Sequence, residues 1–216
     1  MTGCVIILGG SFDPVHYGHV ALSVHFANLL HPDKFLVIPT GNPWQKESLR
    51  ASPEHRIEMV LRAFDAQRLP IKIDRQEIDR EGPTYSVDTL RKLRAELGSQ
   101  ISIVFLLGSD QLQRLDTWKD WKQLFDYAHI CGATRPGYLQ DASELPEPVS
   151  LEFSHRAATL EQIRNTPHGL AFLTQDLAIN ASATDIRAAL KRGEQPSSQV
   201  PPVVLDYINK FHLYKD

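Results

Sequence analysis

The sequence predicts an α/β fold: an open, mainly parallel sheet with helices on both faces and a small helical appendage at the C-terminal end. Three observations predict it. Short apolar runs recur along the chain, segments with helical spacing of apolar residues separate them, and the first run ends in two glycines. Runs that are apolar throughout are typical of parallel strands, because helices cover both faces of the sheet. In such sheets ligands bind beyond the carboxyl ends of the strands.

Six apolar runs are expected to form the strands. Each is short and is bounded by polar or turn-forming residues, as strands buried on both faces usually are. The runs are Cys4–Leu8, Lys34–Ile38, Ile71–Asp74, Ile101–Leu107, His129–Ala133 and Leu170–Leu173.

Helical spacing marks the segments between these runs. Ser52 followed by Pro53 is a favourable cap and first-turn pair for one helix, and Gly98 is a favourable residue to end another. The expected apolar faces are Val20, Val24, Ala27 and Leu30 in the first helix, Ile57, Val60, Leu61 and Phe64 in the second, and Val87, Leu90, Leu93 and Leu97 in the third.

The chain is expected to fold as a single domain over residues 1–216, with its small helical part beginning at about Ser182. A length of 216 residues allows one large domain or two small ones. Arg135–Pro148 is expected to be a long loop, and Gly193–Pro202 a link to a last helix, Val203–Phe211. Neither segment has the character of a boundary between independent domains.

Composition and charge narrow the class of protein. With 23 Lys and Arg against 26 Asp and Glu, the formal net charge is −3, which argues against a nucleic-acid or membrane-surface partner. The longest apolar runs fall far short of the ~18–20 residues of a membrane-spanning helix, and no signal peptide is visible. Cys4 and Cys131 are expected to be buried free thiols. We therefore expect a soluble, cytoplasmic protein.

The turn after the first strand carries the most informative pattern, GGSFDPVHYGH over Gly9–His19. The two glycines permit close approach of a ligand, and the following helix N-terminus offers unpaired N–H groups to an anion. His16 and His19 are expected to share one helix face, with Gly18 leaving room for a bulky ligand. Two histidines without a nearby cysteine or third histidine disfavour a zinc site. The pattern therefore favours phosphate binding.

Two other features of this turn limit the interpretation. The segment is neither a Walker loop nor the G-x-G-x-x-G dinucleotide fingerprint, because the residues that define those motifs are missing. Asp13 and Pro14 are expected to shape the turn rather than to take part in catalysis.

The Gly9–His19 segment resembles the H-x-G-H signature of the nucleotidyltransferase superfamily, whose members transfer a nucleotidyl group and release pyrophosphate. Ala181–Arg187 (ASATDIR) resembles the second hallmark of that superfamily, with Ala181 and Ala183 in place of the usual isoleucine and serine. The resemblance implies a Rossmann-like sheet. Ser182 with Asp185 also has the pattern of a helix cap, and both roles are compatible.

Further segments, spread in order over nearly the whole chain, resemble the nicotinate-nucleotide adenylyltransferases. Each is weak alone, and the evidence lies in their number and order. Gln45 departs from the family, in which histidine is usual at that place. The segments are Ile38–Lys46, Gly82–Leu90, Phe105–Asp110, Leu115–Trp118, Arg135–Gly137, Pro201–Ile208 and Leu213–Tyr214.

This resemblance implies a role for each of three groups of residues. The group implied to act in catalysis is His16, His19, Lys46 and Arg187. The group implied to bind ATP is Gly9, Gly10, Ser11, Phe12, Gly18, Gly108, Asp110, Ser182 and Thr184. The group implied to bind the acceptor is Thr84, Tyr85, Ser86, Trp118 and Arg135.

The chemistry of single residues leaves alternatives open at four of these positions. Lys46 fits a solvated surface lysine as well as a cation that reaches phosphates. Trp118 fits core packing as well as stacking on a pyridine ring. Ser86 fits a plain N-cap for a helix that begins at Val87, and Asp110 fits an N-cap after the buried strand.

The resemblance implies that ATP, accompanied by Mg²⁺, donates its adenylyl group to nicotinate mononucleotide. Transfer to nicotinamide mononucleotide, or to both acceptors, is the nearest alternative, although the Thr84–Ser86 turn offers hydrogen-bond donors that favour the acid. A non-catalytic nucleotide-binding regulatory module is a more distant alternative. The lack of a Lys-Met-Ser-Lys-Ser segment and of a basic excess argues against a fragment of a class I aminoacyl-tRNA synthetase.

Overall fold

A computed structural model of the chain describes residues 3–41, 49–133, 145–174, 177 and 181–215. Within these residues the strands are β1 (Cys4–Gly10), β2 (Lys34–Pro39), β3 (Lys72–Ile73), β4 (Ser102–Leu107), β5 (His129–Ala133) and β6 (Ala171–Thr174). The helices are α1 (Tyr17–Leu30), α2 (Pro53–Asp65), α3 (Ser86–Leu97), α4 (Ser109–Leu112), α5 (Glu147–His155), α6 (Leu160–Asn165), α7 (Ala183–Lys191) and α8 (Pro202–Lys210). Two 3-10 helices, Leu115–Thr117 and Trp121–Asp126, lie between α4 and β5.

The six strands form one sheet in the order β3-β2-β1-β4-β5-β6, and every neighbouring pair is parallel. All six predicted strands are confirmed, with shifts of a few residues at their ends. The strand order reverses at β1, which pairs with β2 on one side and with β4 on the other. A crevice therefore opens beyond the carboxyl ends of β1 and β4, where open α/β sheets bind ligands.

The sheet separates two apolar cores, because successive side chains of a strand point to opposite faces. Along β1, Cys4, Ile6 and Leu8 belong to one core, and Val5 and Ile7 belong to the other. Helices α1, α2, α7 and α8 cover the first core, whereas α3, α5 and both 3-10 helices cover the second. The two faces therefore supply different elements to the crevice between them.

The C-terminal helices are integral to the first core. Ile186 of α7 and Val204 and Ile208 of α8 are fully buried beside residues of α1 and α2. In the part of the chain that the structure describes, no helix is long and apolar enough to cross a membrane. Cys4 and Cys131 are free and buried, as predicted.

The interpretation of Arg135–Pro148 as one long loop is wrong at its end, because α5 begins at Glu147. Pro148 occupies the first turn of that helix, where its fixed φ and missing N–H group are compatible with helical structure. Helix α6 was also not predicted from the sequence. Its N-cap Thr159 and Gln162 form a reciprocal capping box, a pattern that is visible in the sequence.

Candidate active site

A cleft of about 920 Å³ lies at the carboxyl ends of β1 and β4. This volume is in the upper part of the range of small-molecule sites. The cleft is lined by the end of β1, the first turns of α1, α3 and α7, and the segment that follows β4. The location predicted from the parallel sheet is confirmed.

Most of the residues singled out in the sequence line this one cleft. They are Gly9, Gly10, Ser11, His16, Gly18, His19, Thr84, Tyr85, Ser86, Gly108, Asp110, Trp118, Ser182, Thr184 and Arg187. Lys46 and Arg135 lie outside the described residues. The roles assigned to these side chains remain predictions, whereas their assembly around one cleft is an observation.

Phe12 requires a correction. Its side chain is fully buried and does not line the cleft, so the expectation that it contacts ATP is wrong for the side chain. The ring belongs to the first core, and its centroid lies 4.9 Å from that of His19 at an angle of 58°. Phe12 therefore packs in the core behind His19, which itself lines the cleft.

His16 and His19 lie together at the start of α1. His16 is the N-cap, and its backbone N–H donates to Nδ1 of His19 over 3.3 Å. The two ring centroids are 3.8 Å apart. Because Nδ1 of His19 accepts a hydrogen bond, the proton of the neutral ring resides on Nε2, which is then a donor.

Gly18 serves this histidine pair in a way that the sequence did not indicate. A Cβ atom at Gly18 would lie 3.0 Å from the ring of His16, closer than such contacts normally allow. The glycine therefore makes space for the imidazole of His16, whereas the sequence analysis expected it to make space for a ligand. A larger residue at this position would displace the His16 ring.

Asp13, which lines the cleft, connects the turn after β1 to two distant segments of the chain. Its buried carboxylate accepts hydrogen bonds from the backbone N–H groups of Arg50 and Ala51 at 2.8 and 3.1 Å, and from the Tyr214 hydroxyl at 2.7 Å. Burial and the neighbouring Asp13 carboxylate raise the pKa of Tyr214, so its hydroxyl stays protonated and donates. The expectation that Asp13 shapes the turn agrees with these contacts.

A buried arginine stabilises the same turn. Arg56 of α2 is fully buried, and its Nη1 donates to the carbonyl oxygen of Ser11 over 2.7 Å. Burial lowers its pKa, and the negative charge of Asp13 opposes that effect. Arg56 was not predicted from the sequence, because nothing in its helical position indicates that its side chain reaches the turn.

Arg187 connects the two sequence motifs directly. Its Nη1 donates to the carbonyl oxygen of Asp13 over 2.7 Å, and its Nη2 contacts Oγ1 of Thr184 at 3.4 Å. It is the fifth residue of α7, one turn beyond the N-cap Ser182, which accepts from the N–H group of Asp185 at 3.4 Å. The predicted capping role of Ser182 is confirmed, and α7 directs its N-terminus toward the cleft.

The opposite face of the sheet supplies a second part of the cleft, formed by the Thr84–Ser86 turn and Trp118. Tyr85, not Ser86, is the N-cap of α3, and no side chain caps that helix, so the alternative interpretation of Ser86 as an N-cap is wrong. The half-buried Trp118 packs on Phe105, with ring centroids 6.4 Å apart. Its Nε1 is buried and has no hydrogen-bond partner among the described residues.

The end of β4 is open toward the cleft. Gly108 is the N-cap of α4, and a Cβ atom there would meet nothing within 4 Å among the described residues. Asp110 is exposed in the first turn of α4, so the alternative interpretation of Asp110 as an N-cap is wrong.

Several lining residues were missed. Thr40 lies 3.2 Å from the Thr84 hydroxyl, and beside it Oγ1 of the buried Thr89 donates to the buried Glu77 carboxylate over 2.8 Å. Burial raises the pKa of Glu77, which shifts the carboxyl toward its neutral form. Thr40 follows β2 and Thr89 lies in α3, but nothing in the sequence indicates that their side chains meet Glu77, so only the fold brings them together.

The fold and the site define a nucleotide-binding α/β protein of the nucleotidyltransferase class. Residues 7–189 match the model of the cytidylyltransferase-like family. A protein from Herminiimonas arsenicoxydans, named as a probable nicotinate-nucleotide adenylyltransferase, is 58% identical over 215 residues, which cover 100% of this chain and 98% of the relative. A protein of the same name from Chromobacterium violaceum is 39% identical over the full length of both chains.

Solved structures agree on the fold. The Plasmodium falciparum nicotinic acid mononucleotide adenylyltransferase complexed with NaAD superposes with a TM-score of 0.74 at 21% identity, covering 98% of this chain and 97% of that one. The same protein complexed with APC superposes with a TM-score of 0.72. The chain therefore belongs to the cytidylyltransferase-like family and, within it, to the nicotinate-nucleotide adenylyltransferases.

Proposed function

We propose that this protein transfers the adenylyl group of ATP to nicotinate mononucleotide, forming nicotinate adenine dinucleotide and pyrophosphate in NAD biosynthesis. The observation that carries the proposal is the meeting of two motifs in one cleft: Arg187 donates to the carbonyl of Asp13 over 2.7 Å, although 174 positions separate them. The His16 and His19 pair lies in the same turn as Asp13. Full-length similarity to relatives of that name supports the choice of substrates.

The arrangement of the cleft suits two nucleotides that meet end to end. Elements of the first core, α1 and α7, bring His16, His19 and Arg187, which suit a triphosphate. Elements of the second core bring the Thr84–Ser86 turn and Trp118, which suit a flat ring with an acidic substituent. Gly9 and Gly10 line the same cleft, and an added Cβ atom there would press on the rings of Phe105 and Phe12 at 3.2 and 3.1 Å.

The reaction is an in-line displacement at phosphorus. An oxygen of the mononucleotide 5′-phosphate forms a bond to the α-phosphorus of ATP, the bond from that phosphorus to the α–β bridging oxygen breaks, and pyrophosphate leaves. The attacking phosphate is already anionic, so the step needs no general base. Catalysis then consists of holding the two phosphates in line and stabilising the charge that develops on the departing oxygens.

Particular groups take these roles in the proposal. Nε2 of His19 and the guanidinium of Arg187 donate to triphosphate oxygens, assisted by His16 and by Lys46 from the segment outside the described residues. ATP is held by the end of β1 and by the N-terminus of α7, and the acceptor is held at the other end of the cleft. The residues proposed for ATP are Gly9, Gly10, Ser11, Gly18, Gly108, Asp110, Ser182 and Thr184. Those proposed for the acceptor are Thr84, Tyr85, Ser86, Trp118 and Arg135.

Mg²⁺ is proposed to accompany ATP. Among the described residues no group of three or more His, Cys, Asp or Glu side chains is placed to hold a metal ion. A magnesium ion bound through phosphates and water needs only one or two carboxylates, and the exposed Asp110 meets that requirement. When bound, the ion neutralises phosphate charge. A cytoplasmic location, with neither nucleic acid nor membrane as a partner, belongs to the same proposal.

The test is pyrophosphate release from ATP and Mg²⁺ with nicotinate mononucleotide, with nicotinamide mononucleotide, and without acceptor. We expect rapid release with the acid, slower release with the amide and none without acceptor. Equal rates with both acceptors would refute the preference for the acid and preserve the reaction. No release with either, from protein that binds ATP, would refute the proposed function.

A further inference from the structure

The acceptor end of the cleft contains a cation that the sequence analysis did not single out. Nζ of Lys119 lies 4.4 Å from the centroid of the Tyr85 ring, and both residues line the cleft. Lys119 directly follows Trp118, which ends the 3-10 helix Leu115–Thr117. The ammonium group is therefore held at the turn where α3 begins, next to the tryptophan that lines the same end.

The electrostatics of this end favour an anion. Helix α3 spans Ser86–Leu97, and its first turn has no side-chain cap, so the partial positive charge of the helix N-terminus faces the turn. Of the acidic groups at this turn, Asp88 is paired with Arg91 at 2.6 Å, and burial shifts Glu77 toward its neutral form. Asp110 lines the cleft after β4, and Asp116 and Asp120 flank Lys119 in the chain, but neither of these two lines the cleft. Lys119 adds a full charge of the same sign as the helix N-terminus.

A second lysine of the same segment provides a comparison. Nζ of Lys122 lies 5.5 Å from the ring centroid of Trp121 and 3.7 Å from a carboxylate oxygen of Glu152. Lys122 does not line the cleft, whereas Lys119 does. Both side chains are exposed lysines that lie over aromatic rings, and only one of them is placed to act on a ligand.

We propose that Lys119 determines acceptor specificity: its ammonium group favours a pyridine mononucleotide that carries a carboxylate over one that carries an amide. This inference rests on the proposed function, because it concerns the acceptor of that reaction. A carboxylate close to the Tyr85 ring interacts favourably with a cation held over the same ring, whereas a neutral amide gains little. The interaction acts on binding of the acceptor and leaves the phosphate chemistry unchanged.

The experiment compares Lys119→Gln with the wild-type protein and with Lys122→Gln as the matched control. For each protein, kcat and KM are measured with nicotinate mononucleotide and with nicotinamide mononucleotide at saturating ATP and Mg²⁺. In Lys119→Gln we expect KM for the acid to rise about tenfold, with kcat and the values for the amide within twofold of wild type. Lys119→Arg and Lys122→Gln are expected to retain wild-type selectivity, and added salt should reduce selectivity in the wild type more than in Lys119→Gln.

The outcomes separate this proposal from the proposed function. An unchanged ratio of acid to amide in Lys119→Gln, or an equal loss with both acceptors, would overturn the role of Lys119 while leaving the reaction intact. A wild type that uses both acceptors equally would also overturn it, because there would be no selectivity to explain. Turnover of neither acceptor would overturn the proposed function and this inference together. Because Lys119 is exposed, the variants should keep the wild-type melting temperature.

Discussion

His129 should make the stability of the protein depend on pH. The residue is fully buried in β5. Its Nε2 lies 2.8 Å from the carbonyl oxygen of Thr166, and its Nδ1 accepts from the N–H group of Leu170 over 3.1 Å. An imidazole that donates at one nitrogen and accepts at the other is neutral. Adding a proton would break the bond from Leu170 and would place a charge in the core.

The pKa of His129 is lowered because the folded protein disfavours the protonated ring. Burial lowers it from the ordinary value of 6.5 to about 4, and the nearby charges of His168 and Arg94 act in the same direction, whereas the bond to Thr166 opposes them. In the unfolded chain the imidazole binds a proton near its ordinary pKa. Between about pH 6.5 and pH 4 the unfolded state therefore holds more protons than the folded state, and the free energy of unfolding falls as the pH falls.

The size of this effect follows from the two pKa values. At ~1.36 kcal/mol per pH unit, the difference amounts to ~3 kcal/mol over the whole range. About 2 kcal/mol of this is lost between pH 7 and pH 5. For a chain of 216 residues that loss lowers the melting temperature by roughly 4–8 °C.

The assay is urea unfolding of the wild type and of His129→Gln at pH 7, 6 and 5. Glutamine can donate to Thr166 and accept from Leu170 without titrating, so the variant reports every other source of pH dependence. We expect the wild type to lose about 2 kcal/mol more than the variant between pH 7 and pH 5. Equal losses would refute the reasoning, as would an NMR titration of the wild type in which His129 gains its proton near pH 6.5.

Three substitutions test other parts of the structure. Replacing His19 with alanine should reduce turnover by ~10²–10³ because a charge-stabilising donor is lost, while the melting temperature changes little; unchanged turnover in the pyrophosphate assay would contradict the catalytic role. Arg94→Lys should destabilise the fold by about 2–4 kcal/mol in urea, since the guanidinium donates to four backbone carbonyl groups and lysine cannot reach them all; a loss below ~0.5 kcal/mol would contradict this. Trp118→Ala should weaken binding of nicotinate mononucleotide in calorimetry with little change for ATP, whereas a Trp118 that serves only in packing would lower the melting temperature without affecting either ligand.

The strands were predictable because a strand that is buried on both faces is apolar along nearly its whole length. All six strands begin within one residue of the predicted start, and only β3 is markedly shorter than predicted, reduced to Lys72–Ile73. Helix α5 was missed because its first turn contains Pro148, which was interpreted as a loop residue. Such errors arise where one residue type serves two local structures, and the choice depends on what packs against the segment.

The residues of the candidate site likewise fall into those that the sequence indicates and those that only the structure reveals. The glycines, His16, His19 and Arg187 stand in motifs that can be recognised along the chain, and the cleft brings them together. Arg56 and Glu77 could not be found, because their significance depends on contacts with residues far away in the sequence. The burial of Phe12 was also not predictable, since an aromatic residue in a glycine-rich turn can face either a ligand or the core.

By itself the sequence determined the fold class, the position of the anion-binding turn and the resemblance to a family of nucleotidyltransferases. These depend on local periodicity and on residues that are close together in the chain. Only the tertiary structure decided that Arg187 is held by the carbonyl of Asp13, that Tyr214 donates to the Asp13 carboxylate, and that Lys119 rather than Lys122 lines the cleft. Hydrogen bonds and charge interactions act over a few ångströms of space whatever the separation in sequence, so a cooperative fold is needed to specify them.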